Sequence, residues 1–212
     1  MAHAQSRLSR PPDPSAITVA RLHYQGGGDW YWGSSALPNL LAFLGAETTL
    51  KVQPGPAPTV ELTSPELWNY PILFLTGHGN IRFSDRELTI LRSYLKAGGF
   101  LIANDSYGLD PAFRREIARV FPDAPLQEVP YDYGLYRCLF TFAAGPPKIH
   151  EHDDRPAQGF GIFLEGRMCC FYVYESDIGD GWEDPEVHGD SDLARRRALE
   201  MGANAVLWSL IQ

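Results

Sequence analysis

Short, wholly apolar runs alternate along this chain with stretches of helical period, and the alternation predicts an α/β protein. The clearest unit is Tyr70 to Tyr107. Ile72 to Leu75 is an unbroken apolar run that stops at Thr76-Gly77-His78-Gly79, a sequence suited to a sharp turn. Ser84 and Glu87 then form a capping box, in which the serine oxygen accepts an orphan amide and the glutamate returns the bond. Leu88, Leu91 and Leu95 follow at helical spacing with Tyr94 beside them, and Gly98-Gly99 supplies a left-handed stop. Phe100 to Ala103 is a second apolar run, ending at Asn104-Asp105. A strand, a crossover helix and a strand of this length require parallel pairing, so both strands end on one edge of the sheet. Open α/β sheets hold their ligands at that edge.

The rest of the chain repeats the theme. Ile17 to Leu22 reads as a first strand ending at His23-Tyr24. A glycine-rich loop, Gly26 to Ser35, precedes a helix with Leu37, Leu40, Leu41 and Leu44 on one face, capped by Ser34 or Ser35. Thr48 to Val52 is the expected second strand, and Ser64-Pro65 opens a brief helix. Asp110-Pro111 opens another, with Phe113, Ile117, Val120 and Phe121 facing inward, and Leu126 to Val129 is a further candidate strand. Phe160 to Leu164 and Arg167 to Tyr174, joined by Glu165-Gly166, form a hairpin with a two-residue turn. The final helix spans about Asp192 to Ile211, with Ala194, Ala198, Met201, Ala205 and Trp208 in one stripe. The expected fold is a three-layer, doubly wound α/β domain over 17–212 with a mostly parallel, flavodoxin-like sheet and a C-terminal hairpin and helix, preceded by an extended segment over 1–16.

Composition narrows the partners more than the chemistry. A net charge of −8 argues against a nucleic-acid surface, and the one basic cluster, Arg195-Arg196-Arg197, lies in a helical pattern as a solvated face. No apolar stretch approaches the ~20 residues of a membrane span, so no transmembrane segment is expected. Ala2-His3-Ala4 before Gln5 has the small-x-small form of a signal-peptide cleavage site, with Met1 standing in for the removed part. That reading places the protein in the periplasm or outside the cell; the competing reading is a chance tripeptide on a cytoplasmic protein. Cys138, Cys169 and Cys170 lack metal-type spacing; they are either buried singly or Cys138 pairs with one of the vicinal two.

Four stretches offer chemistry. The loop Gly26-Gly27-Gly28 has no phosphate-loop continuation, and Asp29 would repel a phosphate, but Trp30, Tyr31 and Trp32 offer aromatic faces for a sugar ring or for the loop's own packing. His150-Glu151-His152-Asp153-Asp154 is dense in ligand types: in a strand His150 and His152 share a side, and in a loop either can join His78 around a divalent metal. The acidic segment Glu175 to Asp184, followed by His188 and Asp190, either holds a hard cation such as calcium or caps backbone amides. Asp105, at a strand end, is either a general acid or base with His78 and His152 or the cap of the next turn. The expected site therefore comprises His78, Asp105 and His152 for catalysis. A ligand surface of His23, Asp29, Trp30, Trp32, Asn104 and Trp182 adjoins it, and the candidate metal donors are His78, His150, His152, Asp177, Asp180 and Glu183.

The stretches VARLHYQGGGDWYWGSSALPNLL, FLTGHGNIRFSDRELTILRSYLKAGGFLIANDSYG, KIHEHD, QGFGIF and YESDIGDGWEDPEVHGD together resemble a bacterial family catalogued as domain of unknown function 4159. The resemblance covers nearly the whole chain from Ile17. Its members look like relatives of the class I glutamine amidotransferase fold, including the trehalose-utilisation (ThuA-like) branch, and some resemble domains attached to membrane-anchored von Willebrand A-type proteins. In that larger fold the strand-to-helix elbow often holds a nucleophilic cysteine. The matching position here, Asn104-Asp105-Ser106, has neither that cysteine nor the histidine of the ThuA-like branch, and Ser106 lacks a G-x-S-x-G setting. The resemblance thus implies a fold and an edge rather than a glutaminase. Two functions stand side by side: hydrolytic or lyase chemistry on a small polar or saccharide substrate, or a module binding such a ligand or a cell-envelope protein partner.

Overall fold

In the computed structural model, residue 13 and residues 15–212 are described. The segment expected over 1–16 falls largely outside them, and Ala2-His3-Ala4 wholly so. The described chain builds one seven-stranded sheet: β1 (Val19–His23), β2 (Thr59–Glu61), β3 (Ile72–Leu75), β4 (Phe100–Asn104), β5 (Gln127–Glu128), β6 (Gln158–Leu164) and β7 (Arg167–Tyr174), in the order β2-β1-β3-β4-β7-β6-β5. β2, β1, β3, β4 and β7 run parallel, and β6 and β5 extend the sheet antiparallel beyond β7. The helices are α1 (Ala36–Glu47), α2 (Asp85–Lys96), α3 (Asp110–Val120), α4 (Pro185–His188) and α5 (Asp192–Ile211). This is an α/β sheet consistent with a flavodoxin-like fold. No helix among the described residues is long and apolar enough to cross a membrane.

The unbroken apolar runs are explained by burial on both faces. Along β3, Leu73 and Leu75 face the core shared with α2 and α3, while Ile72 and Phe74 face the one shared with α1 and α5. β4 divides in the same way, with Leu101 and Ala103 against Phe100 and Ile102, as does β7, with Cys170 and Tyr172 against Phe171 and Val173. Three layers result.

The capping box forms as the sequence predicts: the Glu87 amide donates to Ser84 Oγ at 3.3 Å, and the Ser84 amide donates to Glu87 Oε2 at 2.8 Å. Ser84→Ala is expected to cost about 1 kcal/mol, read as a shift in the urea midpoint at unchanged slope. An unchanged midpoint would show that α2 needs no cap. The hairpin turn is of the I′ kind, with Glu165 at φ 51° and Gly166 at φ 85°.

Three local expectations are corrected. Thr48 to Val52 is not the second strand: Val52 makes only an isolated bridge to Ile17, and pairing with β1 resumes at Thr59. Pro54, Pro56 and Pro58 in between have no amide to donate to a ladder. Ser35 stands at the start of α1 without capping it, because its hydroxyl is used by Glu183 Oε1 and the Asp184 amide. The cysteines are all free thiols: Cys169 and Cys170 are buried in β7, and Cys138 lies against the backbone of Asn204 on α5.

Candidate ligand site at the carboxyl edge of the sheet

From β1 the chain moves outward to β2 and then back across to β3, so the strand order reverses between β1 and β3. The loops leaving these two strands are tied together there, the Gly28 amide donating to the Asn80 carbonyl at 2.9 Å and the Arg82 amide to the Gln25 carbonyl at 2.7 Å, at the edge where such folds place ligands. Asp29, from the first loop, accepts from the His78 amide through Oδ1 and meets His78 Nδ1 at 2.9 Å through Oδ2. Gly77, at φ 131°, makes this approach: a Cβ there would stand 2.6 Å from the Tyr24 hydroxyl and 2.8 Å from Asp29 Oδ1.

The aromatic loop is fastened from below by Arg21, a buried guanidinium on β1 that donates to the carbonyls of Trp30, Trp32 and Gly33. Burial lowers its pKa, and the charge of Glu183 offsets part of that. Trp30 is partly buried and stacks on His23 at 4.2 Å, and His23 in turn pairs with Glu61 at 3.1 Å. Tyr31 is exposed, and Trp32 is exposed enough to present a face while its Nε1 donates to Asp180 Oδ1 at 3.3 Å. The Trp32 ring meets His78 edge-on at 5.2 Å and lies 6.3 Å from His188.

Beyond Trp32 the loops after β7 and before β6 bring imidazoles and carboxylates together. His150 Nδ1 lies 3.3 Å from Asp177 Oδ2 and 3.7 Å from Asp180 Oδ2, and its Nε2 meets Asp190 Oδ1 at 3.1 Å. His188 Nε2 lies 3.1 Å from Glu183 Oε2 and 3.8 Å from Asp180 Oδ2. His152 Nε2 reaches the same Asp177 Oδ2 as His150, and Tyr107, half exposed, stacks on the His152 ring at 4.7 Å. His150, Asp180 and His188 each offer one ligand atom within 4.8 Å of the others. The hydrogen bond with Asp177, helped by Asp190 and Asp180, raises the pKa of His150 to about 9. Burial first and Asp177 second raise that of Asp180.

Backbone strain gathers on this edge. Tyr107, Glu175 and Asp177 all have positive φ, at 79°, 56° and 56°, a conformation uncommon outside glycine and concentrated where a site over-determines the chain.

Of the expected residues, His150, His152, Asp177, Asp180, Glu183 and Trp32 are brought into one linked set, and His188, Asp190 and Tyr107 join them. His78 does not take part in the imidazole–carboxylate grouping; it belongs with Asp29 and touches the set only through Trp32. Asp105 is nearly buried and accepts from the Leu109 amide at 2.8 Å, the turn cap that was the alternative reading of its position. Burial pushes its pKa up to about 6, with the neighbouring charges of Asp110 and Asp177 adding and that of His152 opposing. Two residues expected on the ligand surface face inward instead. Trp182 is 0% exposed and packs at a tilt against Phe74 in the α1/α5 core. Asn104 is also 0% exposed: it donates to Thr76 Oγ1 and Ser106 Oγ and accepts from the Gly179 amide, tying β3, β4 and the acidic loop together. Ser106, locked in that network, is no exposed nucleophile.

The residues not anticipated had quiet signals. Arg21 is a charge inside an apolar strand, and Tyr107 follows Asn-Asp-Ser at a strand end. His188 and Asp190, which follow the acidic segment and are read with it as cation ligands, match no spacing motif.

The chain is an α/β domain whose carboxyl edge gathers a polar group of imidazoles and carboxylates beside Trp32 and Tyr107. A family model described as a domain of unknown function (DUF4159) matches residues 18–210, and the chain belongs to that family. No curated protein matches the chain.

Proposed function

We propose that this edge binds a small polar, saccharide-like ligand, in a protein exported to the cell envelope. One observation carries the reading: two exposed aromatic rings stand at the ends of a continuous run of polar contacts. Tyr107 lies on His152, His152 meets Asp177, Asp177 meets His150, His150 faces Asp180, and Asp180 holds Trp32. Aromatic faces beside rigidly held carboxylates and imidazoles suit a ring that is apolar on its faces and hydroxylated at its rim. The flavodoxin-like strand order supports the wider relation to the class I glutamine amidotransferase-like, ThuA-like group, with the elbow residues Asn104, Asp105 and Ser106 turned to other use.

Calorimetric titration with a panel of neutral and acidic oligosaccharides tests this. A ligand should emerge whose affinity falls about tenfold in Trp32→Ala, the ~1.4 kcal/mol of a lost stacking contact. Should no member of the panel bind, or Trp32→Ala bind as well as the parent, the saccharide reading fails. A second reading, hydrolysis or a lyase reaction, is favoured by Asp105 alone: its pKa of about 6 suits an acid or base working near neutrality, with His152 beside it. His78, paired with Asp29, would then assist from beside Trp32. A cell-envelope protein partner at the same edge is the corresponding non-catalytic alternative.

A further inference from the structure

We propose that His150, Asp180 and His188 bind one divalent transition-metal ion, with Asp177 as a fourth donor. The inference stands apart from the identity of any organic ligand. It begins with the oxygen Asp180 Oδ2, on a buried carboxylate. Two imidazole nitrogens approach it, at 3.7 Å from His150 and 3.8 Å from His188. Both spacings are too long for hydrogen bonds. They are close to the ~3.4 Å that separates donors sharing a tetrahedral ion with bonds of ~2.1 Å, and all three donor atoms lie within 4.8 Å of one another, so the two imidazoles need only draw together around the carboxylate to close the site.

The outer contacts agree with this role. His150 Nε2 is directed at Asp190, which leaves Nδ1 toward Asp180 and Asp177. A carboxylate on the far nitrogen of an imidazole is the usual means of orienting a metal-bound histidine. Glu183 Oε2 meets the same His188 Nε2 that faces Asp180, at 3.1 Å, so it stands on the metal side of the ring as a further carboxylate donor rather than behind it, and Arg21 lies near Glu183.

An independent observation comes from Asp177. Its side chain is 1% exposed, and Oδ1 has no hydrogen-bond partner among the described residues, although Oδ2 is shared by His150 and His152. A buried carboxylate oxygen left unpaired is costly, and a cation held beside His150 would satisfy it. Two imidazoles with carboxylates suit zinc, cobalt, iron(II) or manganese better than calcium, which prefers oxygen alone. The acidic segment, which by sequence suited a hard cation, is in this reading half of a mixed nitrogen–oxygen site completed by His150 from a distant loop.

The test uses the full chain, stripped with a chelator and dialysed. Zn²⁺ is titrated by calorimetry, and Co²⁺ by its visible absorption, which reports ligand type and number directly. One ion per chain is expected, with a rise in Tm on loading. His188→Ala, which lies in a short surface helix, and the isosteric Asp180→Asn should each weaken uptake at least tenfold. Glu165→Gln, in the β6–β7 turn at the opposite edge of the sheet, should leave uptake unchanged. The proposal is overturned if the folded, stripped protein takes up neither ion saturably. It is equally overturned if uptake persists undiminished in both His188→Ala and Asp180→Asn.

Discussion

Trp182→Ala is expected to lower the stability of the protein by about 3–5 kcal/mol, the usual cost of emptying a large aromatic site in a packed core. The ring is wholly buried, 5.1 Å from Phe74, and α5 lies so close that a Cβ at Gly202 would come within 2.6 Å of it. Its Nε1 donates to the Ala198 carbonyl at 2.8 Å, and its own carbonyl accepts from Asn39 on α1. One residue thus joins the acidic loop to both helices of its layer, to α5 through its ring and to α1 through its carbonyl. Since it sits between Asp180 and Glu183, collapse around the missing ring should also displace those carboxylates. The measurement is equilibrium unfolding in urea, with Trp182→Phe recovering much of the loss. A cost under ~1 kcal/mol would mean that the ring is not the anchor described here. It would reopen a surface role for Trp182.

Asp105→Asn should have the opposite sign at neutral pH. Unfolded, an aspartate titrates near 3.8; folded, burial pushes the Asp105 carboxyl up to about 6. The folded state therefore holds a proton more tightly than the unfolded one. The stability this group contributes is full below pH 3.8 and is lost as pH rises through 6. Asparagine keeps an oxygen for the Leu109 amide and removes the charge that burial penalises. At pH 7 the variant should exceed the parent by about 2–3 kcal/mol, and below pH 4 the two should converge. Urea midpoints across pH 4 to 8 check this. A constant offset at every pH would show that folding leaves the Asp105 pKa unshifted and that burial does not penalise its charge. If Asp105 is also an acid or base, the same variant would be more stable and inactive, a combination that a purely structural turn cap does not produce.

Much of the architecture could be read from local chemistry. The capping box at Ser84, the Glu165-Gly166 turn, the alternation of strands with helices and the last helix from Asp192 to Ile211 each depend on residues a few positions apart. The edge on which a site would lie followed from parallel pairing alone. Thr48 to Val52 has strand-like residues yet is not the second strand, and only the prolines after it signal that the ladder waits until Thr59. Asn104 and Trp182 looked like ligand residues by position and type. Which way a side chain turns at a strand end is set by the elements packed around it.

The sequence by itself determined the layers, the direction of the central strands and the loops that gather at their carboxyl ends, because hydrophobic period and turn chemistry act over short distances. Only the tertiary structure decided that His78 belongs with Asp29 while His150 crosses to Asp177, Asp180 and Asp190. Those partners lie tens of residues apart on loops without periodicity. Their meeting is fixed by the packing of Trp182, Asn104 and Arg21 beneath them, which no spacing of residues along the chain encodes.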